Sequence, residues 1–153
     1  MPAPLAPATF ALVVEHAPLV SIDLILTDLA GRVLLGRRRN RPAQGSWFVP
    51  GGRVLKDERL DAAFLRLTAG EIGRAVPRAE AEFQGVYEHL YEDGFAGERV
   101  STHYLVLAYR LPPGEIDLAA LPPDQHGDYR LAFREELLAD PSVHPYTRAY
   151  FSG

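Results

Sequence analysis

The chain has 153 residues, of which 47% are hydrophobic, so it is long enough for one domain with a substantial core and short for two. It contains no cysteine, which excludes disulfide scaffolds, zinc–thiolate sites and thiol nucleophiles and leaves only oxygen or imidazole ligands for a metal. A net charge of −4 argues against a broad nucleic-acid surface. The absence of a secretory leader or of about 18 consecutive apolar residues argues against secretion and membrane insertion, so we expect a cytoplasmic protein.

The first part of the chain predicts a helix and two strands within a single domain over residues 1–153. Residues 1–8 are rich in proline and alanine and are expected to form a flexible arm. Thr9 is a candidate N-cap for a short helix in TFALVVEHA. Residues 19–28 (LVSIDLILTD) alternate in polarity, which predicts a strand, and residues 31–39 (GRVLLGRRR) are predicted to be its hairpin partner.

The rest of the chain predicts one longer helix followed by three strands and two short helices. Apolar residues recur at helical spacing from Leu60 to Ile72, and Gly73 is a natural stop for that helix. The later strands and helices are predicted at EFQGVYEHLYE, STHYLVLAYRL, the end of LPPDQHGDYRLAF, REELLAD and HPYTRAYFS. This order predicts an α+β fold, an α/β/α sandwich in which a mixed β-sheet is flanked by helices.

The segment from Gly52 to Gly73 carries the first chemical signal. Its pattern is G-x5-E-x7-R-x4-E-x-G, with Glu58, Arg66 and Glu71 at the charged positions. This pattern resembles the signature of the Nudix hydrolases, G-x5-E-x7-R-E-U-x-E-E-x-G-U, where U is a bulky apolar residue. The resemblance implies the Nudix fold. The alternative for Glu58 and Arg66 is an internal ion pair that ties the loop to the helix, which is largely their role in that family.

The chain departs from this signature at four positions, Leu67, Thr68, Gly70 and Arg74. Leu67 and Gly70 stand where the family has carboxylates that gather several divalent ions. The remaining carboxylate, Glu71, suits about one Mg²⁺, which keeps water or substrate oxygens in its coordination shell. Attack at phosphorus assisted by several metal ions is therefore not expected.

Further motifs resemble the GDP-mannose mannosyl hydrolase branch of this family. The likeness extends from about Phe10 to Phe151 and includes PLVSID, NRPAQGSWFVPGGRV, THYLVLAYR, PDQHGDYR and HPYTRAYF. It implies hydrolysis of GDP-mannose, with GDP-glucose as a second candidate substrate, to GDP and free sugar. Water would attack the anomeric carbon with inversion, with one Mg²⁺ or Mn²⁺ ion in each active site. The resemblance also implies a homodimer, while the net charge and the lack of a long apolar run argue against nucleic-acid and membrane partners.

The resemblance implies a set of metal ligands and two phosphate contacts. The metal ion would be held by the Gly51 carbonyl, the Glu71 carboxylate and the Gln125 side chain. Arg38 and Arg53 match positions that contact the phosphates, where a planar guanidinium can bind two oxygens and neutralise developing charge.

The resemblance also implies a general base and further substrate contacts. His126 matches the general base, and a histidine of ordinary pKa, about 6.5, is mostly neutral at pH 7 and able to accept a proton. Phe10, Asp23, His89 and Tyr104 match substrate contacts with less force. Core packing is an equal alternative for Phe10 and Tyr104, and His89 is equally a strand residue with a backbone partner.

Two other functions stay open on the sequence alone. A Nudix pyrophosphohydrolase would cleave a nucleoside diphosphate derivative between its phosphates. A non-catalytic nucleotide-sugar sensor would keep the cavity without turnover. Retention of Glu71, Gln125 and His126 together argues against the sensor.

Overall fold

The computed structural model describes residues 5–94, 97, 99–122 and 126–152, with the backbone alone for residues 126 and 127. Four α-helices, α1 to α4, lie within these ranges at Pro7–His16, Leu60–Ile72, Arg134–Ala139 and Pro145–Ala149. The strands β1 to β7 are Leu19–Ile25, Val33–Arg38, Trp47–Phe48, Gly51–Arg53, Glu82–Tyr91, Thr102–Arg110 and His126–Ala132. In the described part of the chain, none of the helices has the length and apolar character that crossing a membrane requires.

The strands form a four-stranded sheet in the order β4-β1-β6-β5 and a three-stranded sheet in the order β3-β2-β7. The larger sheet is mixed, because β1 pairs in parallel with β6 and antiparallel with β4. Helix α2 packs on it through a core cluster that includes Ile22, Leu24 and Phe64. A second cluster joins the smaller sheet to the C-terminal helices and includes Leu35 and Leu137. This arrangement confirms the predicted α+β class with a mixed sheet flanked by helices.

The predicted hairpin between β1 and β2 is wrong. Strand β2 pairs with β3 and β7, in the sheet that does not contain β1. The two segments meet at a bridge between Thr27 and Val33 and at a hydrogen bond from the Leu34 N–H to the Leu26 carbonyl. Most residues of β1 and β2 are buried and each strand has partners on both edges, so the short turn between them does not decide the pairing.

Helix α1 begins two residues before the predicted cap. Pro7 occupies the first turn, where its fixed φ and missing N–H are tolerated, and Ala6 is the N-cap residue. Thr9 therefore lies inside the helix and does not cap it. Residues 7 and 8, the last of the predicted arm, are helical.

The other predicted elements lie where the sequence places them, whereas the short strands β3 and β4 were not predicted. Helix α2 spans Leu60–Ile72, and Gly73 has a φ of 80°, the left-handed conformation that commonly ends helices. Strands β5 and β6 pair antiparallel along their whole length. Helices α3 and α4 form the predicted closing pair.

Candidate functional site

A cavity of about 260 Å³ lies over the larger sheet, beneath helix α1. Its walls come from α1, six of the seven strands and the connecting residues Pro42 and Val49, so residues distant in sequence meet there. Seven residues predicted to bind substrate or metal line it: Phe10, Asp23, Arg38, Gly51, Arg53, His89 and Tyr104. The structure thus brings these residues together, and their individual roles stay predictions.

Residues that the sequence analysis did not single out also line the cavity, among them Pro42, Phe48 and Tyr91. Tyr91 follows His89 by two positions on β5, and residues two apart on a strand share a face. That spacing was the available signal for Tyr91. Pro42 and Phe48 belong to the segment NRPAQGSWFVPGGRV, whose resemblance was noted without assigning these residues a role.

Gly51 brings the backbone of β4 close to β1. It pairs with Asp23 across the antiparallel ladder. A Cβ at position 51 would collide with the Ile22 carbonyl and would lie 2.5 Å from Asp23 Oδ1. Only glycine fits this close approach. It leaves one Asp23 oxygen beside residues 50–53, the segment that contains β4 and is called the glycine loop below.

Gly52 makes an equally close approach to helix α2. A Cβ there would collide with Leu67 Cδ2 and would lie 3.9 Å from Glu71 Oε1. Leu67 is buried in the core beneath the loop, whereas Gly70 is exposed with open space where a side chain would project. Of these three helix positions, Glu71 alone therefore offers the loop a carboxylate.

An ion pair fixes the loop to helix α2. Arg66 Nε and Nη2 donate to the two carboxylate oxygens of Glu58 at 2.7 and 2.9 Å, and Nη2 also donates to the Arg53 carbonyl at 2.8 Å. The hydrogen bonds from Arg66 and from the Leu55 N–H lower the pKa of Glu58, whose side chain is only 2% exposed. Glu58 is thus committed to a structural role, as its alternative interpretation held, and the backbone of Arg53 is held in place.

The described residues place one carboxylate, that of Glu71, where it could hold a hard cation. Glu71 is 7% exposed, and its carboxylate lies beside the loop that carries the predicted Gly51 ligand. Within the described ranges, no group of three His, Asp or Glu residues could hold a metal ion. Gln125, the third predicted ligand, lies outside the described residues. The Glu71 carboxylate and the Gly51 carbonyl are oxygen donors of the kind that Mg²⁺ accepts, and Mg²⁺ commonly keeps several waters or substrate oxygens.

Two guanidinium groups place positive charge on the cavity wall. Arg38 Nε donates to the Pro42 carbonyl at 3.0 Å, and its guanidinium lies 5.8 Å from the centre of the Phe48 ring. The Arg53 guanidinium lies 4.5 Å from the centre of the Phe10 ring, which links α1 to β4. Aromatic faces attract these cations and restrict their positions. The wall is therefore suited to an anionic ligand such as a diphosphate.

A tyrosine that the sequence analysis did not single out connects Asp23 with His89. Tyr150 Oη donates to Asp23 Oδ2 at 2.5 Å and lies 3.3 Å from His89 Nε2. Burial raises the pKa of the Asp23 carboxyl to about 7, although the Tyr150 hydrogen bond and the charge of Arg38 oppose the rise. Burial, reinforced by His144, lowers the pKa of His89 to about 4, so its imidazole is neutral at pH 7. The segment HPYTRAYF contained the signal for Tyr150.

The remaining predicted residues are Tyr104 and His126. Tyr104 lies on β6, and burial raises the pKa of its hydroxyl, so it stays protonated. The backbone of His126 lies at the start of β7, opposite Arg38 in the ladder with β2. The side chain of His126 lies outside the described part of the structure.

Known proteins resemble this chain over most of its length. The NUDIX domain family matches residues 17–151. The low-salt glycan biosynthesis protein Agl8 of Haloferax volcanii is 36% identical over 138 residues, which are 90% of this chain and 83% of Agl8. The MutT NUDIX hydrolase from Burkholderia pseudomallei aligns with a TM-score of 0.65 and 26% identity, over 89% of this chain and 97% of that one. The MutT protein from Methanosarcina mazei Go1 aligns with a TM-score of 0.64 and 20% identity, over 89% and 92% of the two chains.

Proposed function

The chain belongs to the Nudix hydrolase family, and we propose that within this family it hydrolyses a GDP-hexose, GDP-mannose or GDP-glucose, to GDP and the free sugar. Nudix hydrolases act on derivatives of nucleotides and generally use a divalent metal ion, commonly Mg²⁺. The proposal concerns the bond that is cleaved and the sugar that is released.

The observation that carries the proposal is the single carboxylate beside the glycine loop. Leu67 fills one of the family's carboxylate positions with a buried methyl group, and Gly70 leaves another without a side chain. A site of this kind is poorly equipped for attack at phosphorus assisted by several metal ions. It suits a reaction in which the whole nucleoside diphosphate departs and only its charge must be stabilised.

In the proposed reaction, a water oxygen attacks the anomeric carbon of the sugar. The bond between that carbon and the diphosphate oxygen breaks, and GDP leaves with the electron pair. His126 accepts the proton of the attacking water as the general base. Attack opposite the leaving group inverts the anomeric configuration, by the same geometric reasoning as in inverting glycosidases.

The other predicted residues share the charge and the positioning of the substrate. Arg38 and Arg53 would bind the diphosphate and neutralise the charge that develops on it. One Mg²⁺ held by Gly51, Glu71 and Gln125 would add a positive charge next to the same diphosphate. These roles follow from the resemblance and fit the position of the two arginines on the cavity wall.

Substrate contacts are proposed for the aromatic residues and Asp23. Phe10, on α1, would cover the base, and Asp23, His89 and Tyr104 would face the sugar and the diphosphate; all four line the cavity. The relative from Haloferax volcanii is named as a glycan biosynthesis protein, which supports a substrate that contains a sugar. The homodimer and the cytoplasmic location stay predictions.

Hydrolysis in ¹⁸O-water, with GDP-mannose and Mg²⁺, tests the bond that is cleaved. We expect the label in free mannose and unlabelled GDP as the other product. Label in GMP or in mannose 1-phosphate would identify a pyrophosphohydrolase and reject the proposal. If saturating GDP-mannose binds and neither product forms, the chain is the nucleotide-sugar sensor.

The variant His126→Gln tests the general base. It should lower kcat by about 10²-fold or more, since a positioned base contributes about 10²–10⁴-fold, with little change in substrate affinity. His103→Gln, on β6, is the matched control and should keep its activity. Equal activity in the two variants would remove His126 from the mechanism.

A further inference from the structure

The C-terminal helix α4 and its C-cap residue contact the cavity residue His89 through two tyrosines. Tyr146 and Tyr150 are four residues apart, a spacing that places them on the same side of a helix. The Tyr146 ring stacks on the His89 ring, with centroids 4.4 Å apart and planes inclined by 4°. The Tyr150 hydroxyl lies between His89 Nε2 and Asp23 Oδ2. Helix α4 thus restrains His89 by stacking and by a hydroxyl group.

The Tyr150 hydroxyl has one proton, and the geometry determines where it goes. Its Oη lies 2.5 Å from Asp23 Oδ2, a separation typical of a hydroxyl that donates to a carboxylate. Burial raises the pKa of the Tyr150 hydroxyl, so the oxygen keeps its proton. While Asp23 is ionised and accepts this proton, the Tyr150 oxygen is left to accept from His89 Nε2, 3.3 Å away, an arrangement that requires the ring proton on this nitrogen. His89 Nδ1 is left unprotonated, as an acceptor.

Tyr150 is itself held firmly, as a positioning group must be. It is 3% exposed, and its ring packs edge-on against Tyr87 with centroids 4.7 Å apart. The Gln84 amide donates to the Tyr150 carbonyl at 3.0 Å and to the Tyr87 hydroxyl at 2.9 Å. Both contacts come from β5, the strand that carries His89. The hydroxyl therefore has a fixed position relative to His89.

We propose that Tyr150 is a positioning residue that selects the Nε2–H tautomer of His89 and orients Asp23, so that His89 Nδ1 and Asp23 Oδ1 act as acceptors for sugar hydroxyls. Both acceptors belong to residues that line the cavity, and Asp23 Oδ1 lies beside Gly51. Hydroxyl donors on a hexose match this pair of acceptors, whereas a phosphate would be repelled by the carboxylate. This proposal rests on the proposed function for its ligand, but its proton arrangement does not depend on turnover.

The tautomer is tested first, by ¹⁵N NMR of the histidine ring nitrogens at pH 8, with the His89 signals assigned from a His89→Gln variant. In the wild-type protein we expect a protonated Nε2 and an unprotonated Nδ1. Tyr150→Phe keeps the buried ring and should convert His89 to a mixture of tautomers. Tyr109→Phe is the matched control, since it removes another buried tyrosine hydroxyl, one that accepts from Arg78, and should leave the His89 signals unchanged. A wild-type Nδ1–H tautomer, or signals unaffected by Tyr150→Phe, would overturn the proposal.

Kinetics then test the link to the sugar. Tyr150→Phe should lower kcat/KM for the GDP-hexose by about 10-fold to 100-fold, as expected for a lost charge-assisted hydrogen bond, and should leave the Kd of GDP unchanged because GDP has no hexose. An equal loss of GDP binding would indicate general damage to the cavity and would overturn the role towards the sugar. If the wild-type tautomer is as expected and no GDP-hexose is hydrolysed, it is the proposed function that fails.

Discussion

The two ends of the cavity are built in different ways. The glycine-loop end, where Gly51 and Gly52 line the cavity, is built on one short stretch of chain that also carries Glu58, Arg66 and Glu71. At the aromatic end, Asp23 of β1 and His89 of β5 line the cavity and are backed by Tyr146 of α4 and by Tyr150, which follows that helix. The first end is held by an ion pair within that stretch, whereas at the second end the Tyr150–Asp23 hydrogen bond joins residues 127 positions apart. A local motif thus identifies the family, while distant contacts shape the part of the cavity assigned to the sugar.

The largest expected effect is at the glycine-loop end. Glu71→Gln keeps the shape of the side chain and removes its charge, and should lower kcat/KM by about 10³-fold, because a divalent ion supplies several kcal/mol of charge stabilisation. The Mg²⁺ concentration that gives half-maximal activity should rise as well. Glu88→Gln, an exposed position on β5, is the control. Unchanged activity and Mg²⁺ dependence in Glu71→Gln would separate this carboxylate from the metal.

A second substitution tests the ion pair that holds the same end. Arg66→Met leaves the Glu58 carboxylate buried without its cation and should lower the free energy of unfolding by about 3 kcal/mol, at the lower limit for buried pairs because Arg66 is 34% exposed. Urea unfolding measures the change. Lys56→Met breaks a pair whose side chains are 90% and 83% exposed, and should have no measurable effect. Equal stability of the two variants would contradict a structural role for Arg66.

The aromatic end should show itself in the pH dependence of stability. Burial is the main cause that lowers the pKa of His89 and of His144 to about 4. Below the unfolded pKa of about 6.5, the unfolded chain binds protons at these residues more readily than the folded protein. The contribution of the two neutral histidines to the free energy of unfolding is therefore complete above that pH and is lost as the pH falls towards 4. Asp23 acts in the opposite direction, because its pKa is raised from 3.8 to about 7. The contribution of its neutral carboxyl to the free energy of unfolding is therefore lost as the pH rises from 3.8 to about 7.

Between about pH 5 and 6, the unfolded chain binds about two more protons at the two histidines, and the folded protein binds about one more at Asp23. The net difference of about one proton makes the free energy of unfolding rise by about 1.4 kcal/mol per pH unit. Urea unfolding at several pH values measures this slope. Asp23→Asn should make it steeper, since it removes the opposing proton. A slope of the opposite sign in the wild-type protein would contradict the neutral state of the two histidines.

The smallest expected effect concerns Gly70, in the exposed face of helix α2. Gly70→Ala should raise the free energy of unfolding by about 0.5–1 kcal/mol without changing activity, because glycine is costly inside a helix and a Cβ here meets open space. The thermal midpoint should rise by about 2–4 °C at most. Gly73→Ala is the contrasting control and should destabilise, since Gly73 has a φ of 80°.

The sequence predicted the features that depend on local spacing. The bounds of α2 follow from apolar residues at helical intervals, and its end follows from Gly73, whose left-handed conformation disfavours other residues. The pair between Glu58 and Arg66 follows from a motif within the same stretch. These features need no knowledge of the distant chain.

The sequence did not predict the features that depend on distant partners. The partners of β2 could not be chosen because its buried residues would suit several neighbours, and β7 lies far along the chain. The role of Tyr150 could not be identified because its hydroxyl meets Asp23 and His89 only after both ends of the chain are folded together. The spacing of apolar residues in a helix or strand indicates which face is buried, but not which distant side chains pack against that face.

The two positions of helix α2 that lack the family's carboxylates, Leu67 and Gly70, differ in how easily each would accept a glutamate. A glutamate at position 70 would enter open space, with no atom within 4 Å of its Cβ. A glutamate at position 67 would have to replace a methyl group that presses on Gly52, and would place a charge in the core. A single substitution can therefore introduce an acidic residue at position 70. At position 67 the same substitution would also require changes in the glycine loop and in the core.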